Sequence, residues 1–372
     1  MGVGLPYQRT RSIPGWRIYA VQRYSRKVAA ATMISTGDGS LPVRLKDIAR
    51  DLGISPMAVS KALRGHKDIG PETTRRVLQR AAELKYRTDA VARSLVTGRT
   101  FLIGLVIPDL MQSFFAEIAT TIEQVVGAAG YHVVISHTGE SAEVEVANIE
   151  LLESRKVDGL IVASAQHNKR RLEALKTPLV LFDRKLAGAR AHFVGSDNHK
   201  VGVMATEHLI EQGCQRIAHL CGPQLSTSED RLQGYRDALG KRRRKVTSEL
   251  IVEAGHDDAS GFAAMKRLLT AEKPPDGVFC FNDPVAIGAM RACLEAGLRV
   301  PDDVAFVGVA NMRYSDWLTV PLTTIDQRTS AIGMQAARQL LECMAAPTSP
   351  PVQTVLMAPE LIVRASSLRR PS

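Results

Sequence analysis

The stretch LKDIARDLGISPMAVSKALRG, residues 45–65, carries two short helical patterns on either side of a glycine. In its first half, apolar residues recur with the spacing of one helix face: Leu45, Ile48, Ala49 and Leu52. Gly53 permits a tight turn, and Ser55 followed by Pro56 is a favourable start for a second helix. That second helix has three apolar residues for its inner side: Val59, Ala62 and Leu63. The stretch predicts a helix-turn-helix unit.

A third helix and an uneven distribution of charge surround this unit. Beyond GPETT, apolar residues again follow a helical spacing: Val77, Ala81 and Leu84. Residues 1–100 contain 19 Lys and Arg against 7 Asp and Glu, whereas residues 101–372 contain 29 against 31. This asymmetry indicates a polyanion-binding segment joined to a nearly neutral body.

The first 40 residues, the cysteines and the hydropathy of the sequence limit the classes of protein to which the chain can belong. Residues 1–40 show no sustained helix or strand pattern, so they are either a disordered basic tail or a sequence upstream of a true start at Met33. The five cysteines are odd in number and form no C-x-x-C pair, which favours reduced thiols in a cytoplasmic protein. No apolar run reaches the roughly 18 residues of a membrane span. We expect no cofactor and no metal site.

The second helix of a helix-turn-helix unit enters the major groove with its first residues against the bases. Lys61 is placed to donate to guanine, and Pro56 and Met57 are placed to contact a thymine methyl group. For Lys61, a phosphate contact or a solvated side chain is the alternative. The other candidate DNA-binding residues would contact or lie near phosphates and so position the protein: Arg44, Ser55, Ser60, Arg64 and Lys67.

The segment AVARSLVTG, residues 90–98, reads as a helix of barely two turns between the two halves of the chain. Asp89 precedes it as a candidate N-cap, and Gly98 follows it as a candidate C-cap. A helix this short is marginal in water, and Leu95 near its end has no obvious core to enter. Packing of Leu95 against the following domain is one possible role.

From residue 101 the pattern changes to short apolar runs that alternate with helical segments. The first series of predicted strands is FLIGLVIP, YHVVIS, DGLIVAS and PLVLFD, and the second is RIAHLCG, LIVEAG, GVFCFND and VAFVGV. Two successive series of this kind predict two doubly wound, parallel-sheet subdomains with a cleft between them.

Ligands bind such sheets beyond the carboxyl ends of the strands, where this chain has polar and aromatic residues. Carboxylates and amides satisfy sugar hydroxyl groups, and an aromatic face covers the C–H side of a sugar ring. For Phe115 and His256, core packing explains the residue as well as a ligand wall does, and a structural salt bridge is the alternative for Asp283. The candidate effector-binding residues here are Asp109, Phe114, Phe115, Asp183, His256, Asp283 and Asn311, and Arg184 and Asn282 end the same runs as Asp183 and Asp283.

Three motifs resemble the LacI/GalR family of bacterial transcription regulators: the helix-turn-helix AVSKAL, the hinge AVARSLVTGRT and the core opening IGLVIPDL. The resemblance extends to about residue 366. It implies an all-α helix-turn-helix domain over 41–88, a hinge helix over 89–100, and a periplasmic-binding-protein-like core for effector binding and dimerisation over 101–366. It also implies that the chain crosses between the core subdomains near Gly195, Thr324 and Pro350.

The resemblance assigns further roles to single residues. In this family the hinge helix folds when a dimer meets its operator, and a leucine enters the minor groove; by position that leucine is Leu95. The segments STSEDRLQGY and RYSDWLTVPLTTI resemble parts of the family's effector site and add Arg231 and Trp317 to the candidates, with a salt bridge and core packing as their alternatives. The chain departs from the family pattern at Thr88-Asp89 and at Arg44, which replaces the usual Ser or Thr cap of the first helix.

We therefore expect a homodimeric, cytoplasmic transcription regulator of the repressor type, whose affinity for double-stranded operator DNA is controlled by a small effector. A sugar or sugar derivative is the first choice of effector and a purine the second. No phosphate loop, zinc-protease motif or nucleophile elbow indicates an enzyme, and a sugar-binding protein without DNA binding is a further alternative. The basic run KRRRK, residues 241–245, is a solvated helix end or a second DNA contact.

Overall fold

The computed structural model describes residues 43–63, 65–86, 90–165, 170–348 and 350–369. The chain divides into two compact units, with the boundary between residues 89 and 90. The predicted tail, the Thr88-Asp89 departure and the candidate Arg64 lie outside the described residues.

Three helices form the first unit: α1 (Leu45–Leu52), α2 (Pro56–Leu63) and α3 (Pro71–Glu83). All three contribute to one small core, formed by Ile48, Ala49, Val59, Ala62, Val77 and Ala81. Gly53 ends α1 with a φ of 64°, a left-handed conformation that glycine adopts without steric cost. At the start of α1, the Asp47 carboxylate accepts a hydrogen bond from the N–H of Arg44 at 2.9 Å. The predicted helix-turn-helix fold is confirmed, and Asp47 helps to cap a helix that lacks a Ser or Thr cap.

The second unit begins with helix α4 (Ala90–Thr97) and continues into the first subdomain of the core. Sheet A of this subdomain has the spatial order β11-β5-β4-β3-β1-β2, and all its strands are parallel. Its strands are β1 (Leu102–Ile107), β2 (His132–His137), β3 (Gly159–Val162), β4 (Leu179–Phe182), β5 (His192–Ser196) and β11 (Thr354–Met357). Its helices are α5 (Ser113–Ala128), α6 (Ala142–Ser154), α7 (Arg170–Glu173) and α12 (Thr329–Ala345).

The second subdomain is built in the same way. Sheet B has the order β12-β10-β9-β8-β6-β7 and is parallel except for β12, which runs antiparallel to β10. Its strands are β6 (Ile217–Cys221), β7 (Ile251–Glu253), β8 (Gly277–Cys280), β9 (Ala305–Val309), β10 (Thr323–Asp326) and β12 (Glu360–Ile362). Its helices are α8 (Asn198–Glu211), α9 (Ser226–Lys241), α10 (Asp258–Leu269) and α11 (Asp283–Glu295). The predicted pair of parallel-sheet subdomains is confirmed.

The chain passes between the two subdomains three times, after β5, after β10 and after β11. The first two crossings lie within a few residues of the predicted positions near Gly195 and Thr324. The third prediction, near Pro350, is wrong, because β11 at residues 354–357 still pairs with β5 in sheet A. Strand β11 is a partly exposed edge strand, so it lacks the buried apolar run that marks a central parallel strand.

Candidate functional site

The helix-turn-helix unit presents the side chains that we predicted to read DNA. Pro56 and Met57 are exposed at the start of α2, Met57 by 65%. The ammonium of Lys61 lies 2.9 Å from an Asp68 carboxylate oxygen in an exposed ion pair, which DNA can displace because such pairs are weak. The Ser55 hydroxyl accepts a hydrogen bond from the N–H of Ala58 at 3.1 Å and so caps α2. Two further candidates lie on this unit: Arg44, which is exposed, and Ser60, which is half-buried.

Helix α4 is short, as the sequence predicts, and its Leu95 side chain is 82% exposed. This exposure argues against the alternative in which Leu95 packs into the core. Gly98 ends the helix with a φ of 69°, and the Arg93 guanidinium carbon lies 3.6 Å from the ring centroid of Phe101. A cation–π contact therefore joins the helix to the residue before β1, while the Leu95 side chain faces solvent.

The basic run at residues 241–245 is largely engaged within its own subdomain. Lys241 and Arg242 form ion pairs with Glu207 and Glu211 of α8, at 2.8 and 3.6 Å. Arg244 donates a hydrogen bond to the backbone carbonyl of Cys214. These contacts favour the interpretation of a helix end over that of a second DNA contact.

A cleft that opens to solvent lies between the two sheets at the carboxyl ends of their strands, where sheets of this kind bind small ligands. Five of the predicted effector-binding residues line it: Phe114, Phe115, Asp183, Arg231 and His256. The lining also includes Arg184 and Asn282, which end the same runs as Asp183 and Asp283, and residues outside the predicted set, among them Gln112, Glu140, Phe281 and Gln327.

The wall contributed by the first subdomain is built around a strained turn after β4. Asp183 has a φ of 62°, which a non-glycine residue rarely adopts, and its N–H donates to the Val194 carbonyl at 3.0 Å. The adjacent Arg184 donates two hydrogen bonds of 2.6 Å to the carboxylate of Glu140. Burial raises the pKa of the Asp183 carboxyl, and the guanidinium groups of Arg184 and Arg231 oppose that effect. Among the described residues, the Asp183 carboxylate has only a long contact of 3.6 Å with Arg184 Nε, so it is available to a ligand.

The opposite wall is organised by Arg231 on α9, which is only 3% exposed. Its guanidinium donates to the Asn198 side-chain oxygen at 2.9 Å and to the Phe281 carbonyl, and its carbon lies 4.7 Å from the Phe281 ring centroid. Burial lowers the pKa of Arg231 to about 10. Within the described part of the chain, no carboxylate forms an ion pair with Arg231, so its charge is left for the cleft.

Two glycines allow the approach of the helix that carries this arginine. Helix α9 crosses α8 at Gly202 and Gly234, where an added Cβ would overlap the backbone carbonyls of Arg231 and His199. At the start of α9, the Ser226 hydroxyl accepts a hydrogen bond from the N–H of Lys185 in the first subdomain at 2.9 Å. Close helix packing and this contact across the cleft bring the two walls together.

Asp283, a predicted effector contact, does not line the cleft because it is fully buried behind it. One carboxylate oxygen accepts hydrogen bonds from the Met312 N–H and the Ser315 hydroxyl, both at 2.8 Å. The other accepts from the Thr324 hydroxyl at 2.6 Å. The carboxylate is therefore used to fasten the segment after β9 to the start of α11.

Three more predicted residues lie outside the cleft. Asp109 accepts a hydrogen bond from the N–H of Met111 at 2.9 Å and so closes a turn after β1. The Asn311 side chain is held between Asp326 and Arg364, at 3.2 and 2.8 Å. Trp317 is 81% exposed on the molecular surface. Asp109 and Asn311 were predicted at the ligand because they follow strands, and Trp317 because of the family resemblance; the structure instead uses the first two in local hydrogen bonds and leaves Trp317 in solvent.

The lining residues outside the predicted set could have been identified from their positions in the sequence. Phe281 and Gln327 directly follow β8 and β10, and Glu140 follows β2 after a short turn. The rule that selected Asp183 therefore also applies to them, although it cannot tell which of two neighbouring side chains points inward. Within the described residues, no group of three or more His, Cys, Asp or Glu is arranged to hold a metal ion. No helix in those ranges combines the length and apolarity needed to cross a bilayer.

Comparisons with known proteins agree with both units. Residues 44–89 match the model of "Bacterial regulatory proteins, lacI family", and residues 206–367 match that of a "Periplasmic binding protein-like domain". The HTH-type transcriptional repressor PurR of Actinobacillus pleuropneumoniae serotype 3 (strain JL03) is 32% identical over 327 residues, which span 87% of this chain and 97% of that relative.

Two solved structures resemble the whole described architecture. A lac repressor dimer bound to operator and an anti-inducer has a TM-score of 0.79 at 26% identity, covering 88% of this chain and all of that one. A transcriptional regulator CelR–cellobiose complex has a TM-score of 0.66 at 28% identity, covering 87% of this chain and 99% of that one. From its helix-turn-helix unit, its two-subdomain cleft and these relatives, the chain belongs to the lacI family of bacterial regulatory proteins and is a DNA-binding transcription repressor with an effector-binding core.

Proposed function

We propose that the cleft binds a neutral, polyhydroxylated small molecule, a sugar or sugar derivative, and that this ligand controls the affinity of a homodimer for operator DNA in the cytoplasm. The observation that carries the proposal is the composition of the cleft. It combines aromatic faces from both subdomains with two carboxylates, two guanidinium groups and several amides. Such a surface offers acceptors and donors for hydroxyl groups and a flat face for C–H groups.

The charge balance of the lining favours a neutral ligand over an anion. Glu140 and Asp183 supply two carboxylates, and Arg184 and Arg231 supply two guanidinium groups. A phosphate or carboxylate ligand would need an excess of buried positive charge, because an unpaired buried charge is costly. A hydroxyl group that bridges Asp183 and Arg231 would satisfy both without adding charge. The cellobiose complex of the CelR relative supports a sugar in a cleft of this fold.

The position of the cleft explains how such a ligand would act on DNA binding. A molecule held between Phe115 of one subdomain and Arg231 of the other would fix their relative angle. In a dimer, that angle would set the spacing of the two α4 helices and so decide whether both Leu95 side chains reach one operator. A ligand shifts this equilibrium only by binding two conformations differently, and such coupling is typically about 1–3 kcal/mol.

The test is a thermal-shift screen of the full chain against neutral sugars, sugar phosphates and purine bases, since a ligand of the folded state raises the melting temperature. We expect a neutral sugar to raise it, and Asp183→Asn to remove most of that shift because it deletes a charge without changing shape. Asp237→Asn, on the exposed face of α9, is the matched control and should keep the full shift.

Operator titrations with and without the identified ligand then test the coupling. An operator affinity that changes about 5–150-fold with ligand supports the proposal. A response only to phosphates contradicts the neutral ligand, and a response only to purine bases favours the second candidate, which the similarity to PurR repressors makes reasonable.

A further inference from the structure

A second cavity lies at the edge of sheet A opposite to the effector cleft. Its volume is about 230 Å³, and it is lined by Leu179, the first residue of β4, and by Ala191 and His192 at the start of β5. The effector cleft lies at the carboxyl ends of the strands, whereas this cavity lies at the amino ends. A molecule bound in one would therefore leave the other free.

One part of the cavity wall is apolar. It is formed by residues of α7 and the segment after it, by the turn before β5 and by the segment before β11: Leu172, Leu175, Leu179, Ala189 and Val352. An engineered apolar cavity of about 150 Å³ is known to bind benzene. The cavity beside sheet A is therefore large enough for a six-membered ring with a short substituent.

The polar group inside the cavity is the imidazole of His192, which is only 7% exposed. Its Nδ1 accepts hydrogen bonds from Gln339 Nε2 at 2.9 Å and from the backbone N–H of Gln353 at 3.3 Å. Because a backbone N–H can only donate, Nδ1 has no proton, and the neutral ring carries its proton on Nε2. Burial lowers the pKa of His192 and so favours the neutral ring, although the Glu342 carboxylate opposes this effect.

The Nε2–H group of His192 is a buried donor that needs an acceptor. Among the described residues, none accepts a hydrogen bond from it. Buried polar groups in proteins nearly always have a hydrogen-bond partner, either in the protein or in a bound molecule. The cavity therefore favours a ligand that presents an oxygen acceptor to this ring.

The charges of the lining favour an anionic acceptor. Lys176 and Arg190 line the cavity with exposed side chains, and within the described ranges neither of them forms an ion pair. The lining contains one acidic residue, Glu173, so it carries an excess of one positive charge. An excess of this sign attracts an anion and repels a cation.

We propose that this cavity is a second ligand site, which takes a small carboxylic acid with a compact apolar body. The carboxylate accepts the proton of His192 Nε2 and lies on the side of Lys176 and Arg190, and the apolar body packs against the leucines. This site goes beyond the proposed effector function and does not depend on it.

The site lies on the edge of sheet A that also carries α4. All strands of sheet A are parallel, so β1 begins at this edge too, and α4 ends a few residues before β1. Strand β4 is two positions from β1 in the sheet, which corresponds to about 10 Å. The acid would therefore bind close to the point where the hinge helix joins the core.

Cys343 on α12 provides a reporter of occupancy. Its thiol is half-buried and lines the cavity, whereas the other four cysteines are buried in the second subdomain: Cys214, Cys221, Cys280 and Cys293. A molecule that fills the cavity would cover this thiol. The experiment therefore measures, by mass spectrometry of the full chain after digestion, how fast iodoacetamide alkylates Cys343.

Saturating benzoate should slow this alkylation about tenfold, because most of a small ligand's surface is buried against the lining of its pocket. Benzyl alcohol has the same ring without the charge, and it should need an at least about tenfold higher concentration for the same protection. Sulfate at equal ionic strength, and a neutral sugar that binds the effector cleft, should give no protection.

Two variants test the assigned contacts. His192→Asn keeps an oxygen acceptor near the position of Nδ1 but removes the Nε2 donor, so the benzoate concentration for half-protection should rise about tenfold or more. His199→Asn, at an exposed histidine on α8, is the matched control and should behave like the wild type. Ala189→Leu keeps His192 but fills part of the cavity, and it should abolish protection even if His192→Asn folds poorly.

If benzoate does not slow the alkylation of Cys343, or if sulfate slows it equally, the cavity is not the proposed site. Equal protection by benzyl alcohol, or an unchanged benzoate affinity in a folded His192→Asn protein, contradicts a carboxylate at His192. Full protection in the Ala189→Leu variant places benzoate outside the cavity.

Discussion

The side chains predicted to contact DNA and those predicted to contact the effector are held in opposite ways in this repressor. Met57 and Leu95 are 65% and 82% exposed, whereas Asp183 and Arg231 are 8% and 3% exposed. The first pair is solvated in the free protein and would lose its water only on the proposed contact with DNA, whereas folding has already desolvated the second pair. Changes at Met57 and Leu95 should therefore alter binding alone, whereas changes to the buried polar groups around the cleft should also alter the stability of the fold.

The largest effect is expected at Asp283, the carboxylate behind the cleft wall. Asp283→Ala leaves the Thr324 hydroxyl, the Ser315 hydroxyl and the Met312 N–H without their acceptor in a buried site. Removing one partner of such a network typically costs about 3–5 kcal/mol of unfolding free energy. Urea unfolding of the two proteins measures the difference.

Asp283→Asn tests whether the loss of stability in the alanine variant comes from the missing hydrogen-bond acceptor. Its oxygen can still accept from Met312 and Ser315, and the Thr324 hydroxyl can rotate to accept from its NH2 group. We expect a loss clearly smaller than that of the alanine variant. If Asp283→Ala unfolds at the same urea concentration as the wild type, the carboxylate is not the structural anchor described here.

A second test concerns the buried polar residues and measures how the unfolding free energy depends on pH. His219 on β6 is fully buried, its ring stacks on Phe279 with centroids 4.3 Å apart, and burial lowers its pKa to about 4. Between pH 6.5 and 4 the unfolded chain binds a proton that the folded chain does not. The unfolding free energy should therefore fall with decreasing pH, by about 3 kcal/mol across that window from this residue.

His219→Phe keeps a ring in the stack but removes the titrating group, so its unfolding free energy should depend less on pH between 6.5 and 4. Equal slopes for the wild type and His219→Phe would mean that this ring is not the source of the pH dependence.

On the exposed side, Leu95→Ala should weaken operator binding without changing the core. The side chain is solvated in the free protein, so its removal leaves no cavity, whereas loss of an apolar contact in the minor groove typically costs about 1–3 kcal/mol of binding free energy. Fluorescence titration of operator DNA measures the effect on binding, and thermal unfolding of the same sample measures the effect on the stability of the fold. A variant with wild-type operator affinity would remove Leu95 from the DNA interface.

The smallest structural effect is expected for Lys61→Ala. Its ion pair with Asp68 is exposed, so the melting temperature should change by about 1 °C or less. Operator affinity should nevertheless fall, and titration against operators with single G·C changes distinguishes the two interpretations of Lys61. A loss confined to one base position indicates a base contact, while a uniform loss with a reduced salt slope indicates a phosphate contact.

The difference between the helix-turn-helix unit and the core explains how much of the fold and of the candidate site could be predicted from the sequence. The helix-turn-helix unit is defined by contacts between residues close in the chain, so the spacing around Gly53, together with the helix caps and the charge distribution, predicted it. In the core, the role of Asp283 depends on Thr324, which lies 41 positions away, and the exposure of Trp317 depends on how that network holds the loop. Periodicity locates strands and their carboxyl ends. It does not show whether a polar side chain after a strand hydrogen-bonds to another group of the protein or faces the cleft.

The late completion of both sheets has a consequence for the protein during its synthesis. Sheet A is complete only when residues 354–357 have been synthesised, and sheet B only when residues 360–362 have been synthesised. The three helices of the helix-turn-helix unit and their core lie within residues 45–84. On the ribosome, the part that recognises DNA is therefore available long before the part that responds to a ligand. A chain that stops before residue 354 would contain the helix-turn-helix unit but neither a complete sheet A nor a complete effector-binding core.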